Sequence, residues 1–129
     1  MIEPGDTFDG FDRQGHLYIV LSSRLGTGEV AIVNLTPHYA VHARHGEFCL
    51  IIKPHEHPWI RRDSCVYFQE ARLERLKTIR ELMESDALRS HPRCAPVLLR
   101  RTQEEALSSE EVSSEVKDAI RASLANDPR

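Results

Sequence analysis

The side chains of this chain best suited to chemistry are its histidines: of seven, six fall between His16 and His57. Imidazole is the group whose ordinary pKa lets it give or take a proton near neutrality. His16 opens the run His-Leu-Tyr-Ile-Val-Leu-Ser, and Thr36 closes the run Glu-Val-Ala-Ile-Val-Asn-Leu-Thr. An imidazole and a hydroxyl at the ends of adjacent strands can converge on one edge of a sheet. The plainer alternatives are a histidine that caps a strand and a threonine that ends one before Pro37.

Two further constellations stand out. His38, His42 and His45, followed by His55-Glu56-His57, could bind zinc if the first three shared a helical face. Pro37 and Gly46 instead favour a loop, and no Cys-x-x-Cys pattern is present, so no metal or cofactor is expected. In Pro54–Ser64 two prolines shape a loop in which His57, Arg61 and Ser64 offer donors to a phosphate. Trp59 in that loop is either a stacking platform or a core plug beside Ile60. Arg61-Arg62 also reads as a solvated face, and Asp63-Ser64 as turn chemistry. The chain lacks Gly-x-Ser-x-Gly, a phosphate-cradling glycine loop and a dinucleotide-binding fingerprint, which argues against a serine hydrolase and against ATP- or NAD-dependent enzymes.

The elements that must position these residues divide the chain in two. Val-, Ile- and Tyr-rich runs predict strands over 17–22, 29–35, 48–52 and 64–68, the last continuing as far as Leu73, with a weaker strand over 7–11. Helices are predicted over 78–89, from Pro96 to about Leu107, and after a capping-box pattern at Ser108-x-x-Glu111. In the last, Val112, Val116, Ile120 and Leu124 form a stripe that must bury against the chain itself or a second copy. The expected fold class is α+β, a small antiparallel barrel followed by C-terminal helices. Residues 1–129 form one domain, with a barrel part over 1–73 and a helical part over 74–129.

A net charge of −3 counts against a protein that coats nucleic acid by charge alone. No run approaches the roughly 20 apolar residues that span a bilayer, and the N-terminus lacks the pattern of a signal peptide. Cys49, Cys65 and Cys94 are odd in number and widely spaced, which predicts reduced thiols and a cytoplasmic protein without a membrane partner.

Pro4-Gly5-Asp6, His16–Ser22, Ala31–Thr36 and Asp63-Ser64-Cys-Val-Tyr together resemble, in order and spacing, the MazF/PemK toxins over about residues 4–73. The resemblance implies an SH3-like barrel and a metal-independent endoribonuclease that acts on single-stranded RNA and is held in check by an antitoxin. In that family an arginine commonly precedes the first apolar strand and acts with the threonine that ends the next. Here His16 stands in the matching place and Thr36 matches directly. The resemblance therefore implies His16 as acid or base, Thr36 as a partner of the scissile phosphate, and Arg13 or Arg61 as charge stabilisers. It also lays the 37–46 loop over the substrate, with Tyr39 stacking on a base and His42 and Arg44 meeting phosphates. The histidine-for-arginine departure leaves a second reading open, a non-catalytic barrel module that binds RNA or a protein. A homodimer is compatible with either.

Overall fold

A computed structural model describes residues 2–13, 15–37 and 50–126. The chain runs β1 (Thr7–Asp9), β2 (Leu17–Val20), β3 (Glu29–Pro37), β4 (Leu50–Ile52), a 3-10 turn at Pro54–Glu56, β5 (Ser64–Arg75), α1 (Leu76–Glu84), β6 (Arg89–His91), α2 (Pro96–Ser108) and α3 (Ser114–Ala125). The strands form one antiparallel sheet in the order β4-β5-β3-β2-β1-β6.

Strands form where the β-rich runs predict them, and the α+β class holds. Closure does not follow: β4 and β6 are the two edges of this sheet and do not pair with each other. The physical reason lies in the central strands. Ile19, Leu21, Ala31, Val33 and Leu35 point to one face, where α2 and α3 cover them with Leu98, Ala106, Val116 and Ile120. Tyr18, Val20, Val30 and Ile32 point to the other, where α1 covers them with Leu76 and Ile79. A strand buried on both faces reads as continuously apolar rather than alternating.

The helical half differs from expectation at three places. α1 ends at Glu84, and residues 89–91 form β6 rather than a last helical turn. The capping box at Ser108 does not form: the Ser108 hydroxyl donates to the Glu104 carbonyl at 3.3 Å within α2. α3 starts later, capped by Ser113, whose Oγ accepts the Val116 N–H at 3.3 Å. The stripe of Val112, Val116 and Ile120 is spent on the chain's own core, with Leu124 packed at its margin.

Cys65 is disulfide-bonded, which corrects the expectation of reduced thiols throughout. Cys94 is a free, buried thiol whose pKa burial pushes up to about 11. It is inert as a nucleophile at neutral pH. Among the described residues no helix is long and apolar enough to cross a membrane.

Candidate functional site

The site is built around the edge where β1 meets β6. Asp9 stands opposite Arg89 in the ladder, and Thr7 opposite His91. Asp9 is therefore a direct neighbour of Arg89 and a diagonal neighbour of His91 on the same face. Its carboxylate, 7 % exposed, accepts from Arg89 Nε at 3.2 Å and pairs with His91 Nε2 at 3.1 Å. Burial works to raise this carboxyl, but the bonds and charges of His91 and Arg89 outweigh it and hold it below the ordinary carboxylate value. Gly10 makes the arrangement possible. Its φ is +117°, and a Cβ there would lie 2.2 Å from the Ala87 carbonyl oxygen, so only glycine lets β1 end against the segment leading into β6.

The loop from Pro54 to Asp63 forms the opposite wall. Glu56 ties it to α2 through Arg101 at 2.7 Å, and Lys53 pairs with Asp63 at 2.7 Å. His57 ties it to the end of β6. The Pro92 carbonyl can only accept, so His57 Nε2, 2.6 Å away, carries the proton. Nδ1 then accepts the Trp59 N–H at 3.1 Å, and the Thr7 hydroxyl joins by donating to the same Pro92 oxygen at 2.9 Å. Burial holds the His57 pKa below the ordinary histidine value, against the bond to Pro92, with His91 acting in the same direction as burial. His57 is 3 % exposed with both ring nitrogens engaged. Expected as a phosphate contact, it is instead a strut of the wall.

Between these walls lies a cleft of about 650 Å³. Leu35, Pro58, Trp59 and Pro92 give it apolar surface, and Arg61, Arg62 and Arg89 bring guanidinium groups. Thr36 and Ser64 line it as well, so three of the expected residues, Thr36, Arg61 and Ser64, are brought to one place. The Ser64 hydroxyl donates to the Arg62 carbonyl at 3.0 Å. Trp59 packs against the core cluster and also lines the cleft.

His16 is held separately, at the start of β2. Leu17 pairs with Leu35, so His16 stands one step beyond, across from Thr36. It does not line the cleft. Its backbone N–H donates to Asp12 Oδ1 at 3.0 Å, and its Nδ1 lies 2.9 Å from Asp12 Oδ2. Burial acts to raise the Asp12 carboxyl, yet the His16 N–H and imidazole and the Tyr18 hydroxyl hold it below its ordinary value. An ionised carboxylate only accepts, so Nδ1 carries the proton.

The Asn34 side chain lies 3.3 Å from the same Nδ1, and its amide oxygen is buried without a partner among the described residues. Turned so that oxygen faces the ring, this amide becomes a second acceptor for Nδ1–H. The tautomer this fixes directs the Nε2 lone pair away from Asp12. Among the described residues no polar group engages Nε2. The corner is backed by Arg72, whose guanidinium lies 5.4 Å from the Phe11 ring centre and 5.5 Å from that of Tyr18.

Arg13 is exposed on the turn between β1 and β2 and does not line the cleft. Tyr39, His42 and Arg44, with His38, His45 and Cys49, lie outside the described residues. Among those described, no three carboxylate, imidazole or thiol side chains are grouped as metal ligands. Asp9, Arg89, His91 and Asp12 were not legible as site residues. The one signal that could have found a pair is the four-residue spacing of Asp12 and His16. No protein-family model matches the chain, and no curated protein or solved structure matches it.

Proposed function

We propose that this protein is a toxin-like, metal-independent endoribonuclease acting on single-stranded RNA, with His16 as the acid–base group. The observation that carries the reading is the Asp12–His16 pair at 2.9 Å, set across from Thr36 at the border of an arginine-lined cleft. A carboxylate that accepts Nδ1–H orients the ring and stabilises the imidazolium, the same logic by which catalytic triads hold their histidine. In the reaction Nε2 takes the proton of a ribose 2′-hydroxyl, the O2′–P bond forms and the P–O5′ bond breaks. The products are a 2′,3′-cyclic phosphate and a 5′-hydroxyl whose proton comes from solvent. Thr36 hydrogen-bonds the phosphate in this reading, and Arg61 offsets the charge on its oxygens.

An SH3-like barrel as the ancestral scaffold belongs to the same proposal. The register shift between Ile32 and Asn34 in the β3–β5 pairing supports it, because such bulges bend and curl sheets. An antitoxin partner, a homodimer and a cytoplasmic setting complete the proposal. The Cys65 disulfide is the observation that weighs against that compartment.

The test is incubation of the purified protein with single-stranded RNA in EDTA, beside His16→Ala. Cleavage that the variant loses supports the enzyme. Binding without cleavage supports the second reading, a non-catalytic module, which rests on His16 standing where the toxins carry arginine. Induced expression should arrest growth, and the same substitution should relieve the arrest.

A further inference from the structure

The cleft is larger than a single scissile phosphate requires. Its volume of about 650 Å³ lies within the roughly 300–1,000 Å³ of sites that enclose a small organic ligand. Its apolar surface is contributed by a tryptophan and prolines, while its cations come from both walls, Arg61 from the loop and Arg89 from β6. Asp9 sits in the same cleft, yet its carboxylate pairs with His91 and engages only Nε of the Arg89 guanidinium, whose side chain is 75 % exposed. The rings of Trp59 and His91 meet at 63° with centres 6.1 Å apart, forming a corner that a flat ring can enter against only one of them.

We propose that this cleft is a nucleotide-binding subsite, which holds one unpaired base of an RNA strand against Trp59 and its phosphate between Arg61 and Arg89. The strand as ligand rests on the functional reading above, whereas the pocket does not rest on catalysis. A planar base matches the exposed side of the tryptophan, and base–aromatic stacking of this kind contributes about 1–3 kcal/mol without demanding a given sequence. The guanidinium groups match phosphate oxygens in geometry as well as charge.

Trp59 is the only tryptophan in the chain, so its fluorescence reports directly on the cleft. The full-length protein is titrated with nucleoside monophosphates, the corresponding nucleosides, inorganic phosphate and a short single-stranded oligoribonucleotide. Expected is saturable quenching by the monophosphates, tighter with the oligonucleotide, and at least about tenfold weaker when either phosphate or base is missing. Arg61→Ala and Arg89→Ala each weaken binding by about tenfold or more, and circular dichroism checks that these surface variants fold.

Inorganic phosphate binding as tightly as a nucleotide overturns the base subsite, and unchanged affinity in both arginine variants overturns the phosphate placement. Monophosphate binding tighter than oligonucleotide overturns the strand as occupant. The absence of saturable quenching overturns the pocket itself. Nucleotide quenching without RNA cleavage keeps this subsite and removes the nuclease, whereas cleavage without quenching does the reverse.

Discussion

Two aspartate–histidine pairs lie close together in the fold, and they are built for different work. Asp9 and His91 sit 3.1 Å apart in a carboxylate site that is 7 % exposed and shared with Arg89. Asp12 and His16 sit 2.9 Å apart, with Asp12 28 % exposed and no arginine in the pair. In the first, Nε2 is the atom spent on the carboxylate. In the second, Nδ1 is spent and Nε2 has no polar partner among the described residues. The same two residue types thus give a wall shared with an arginine in one place and an oriented imidazole in the other. The difference is set by which ring nitrogen faces the carboxylate and by the presence of a competing cation.

The largest expected effect lies at His16. Its replacement by alanine should lower RNA cleavage by about 10²–10⁴-fold, the usual contribution of a positioned acid–base group, with little change in the melting temperature. Next comes the glycine that shapes the cleft. Gly10→Ala should cost at least roughly 1–3 kcal/mol from its backbone conformation alone, read by urea unfolding, and should weaken nucleotide binding with it.

The two aspartates then break or sharpen the contrast directly. Asp9→Asn should cost about 1–3 kcal/mol because the buried carboxylate loses its charge-assisted bonds to Arg89 and His91. Asp12→Asn should cost less, about 1 kcal/mol, since its carboxylate is 28 % exposed against 7 % for Asp9, while still lowering cleavage. Equal stability losses would erase the distinction between the pairs.

The smallest effect is that of pH on the strut. The His57 pKa is lowered in the folded chain, so below the ordinary value of 6.5 the unfolded chain takes up a proton that the folded chain refuses. Stability is therefore full above that value and falls as the pH drops through it. In the Asp9 case the loss begins only below the ordinary 3.8. Urea midpoints measured between these values should decline for the wild type and stay flatter for His57→Gln.

Much of this arrangement was legible in the chain. The apolar runs of β2 and β3 announce buried strands, and the loop between Pro54 and Ser64 announces its own importance through its rings and cations. Curling into a barrel was not legible, because continuous apolar runs do not say whether one face or two will be covered. β6 was illegible for a simple reason: Arg89, Ser90 and His91 carry no apolar alternation, and only pairing with β1 makes them a strand. With β6 unread, Asp9 had no partners and the cleft had only one wall. The Asp12–His16 pair went unread, since nothing in the sequence shows the turn that folds one onto the other.

The division of labour between the two pairs is tested most directly by measuring RNA cleavage and Trp59 quenching on the same protein samples. His16→Ala should lose cleavage and keep quenching, while Arg89→Ala should lose quenching. A His16→Ala protein that cuts single-stranded RNA at the wild-type rate would contradict the account.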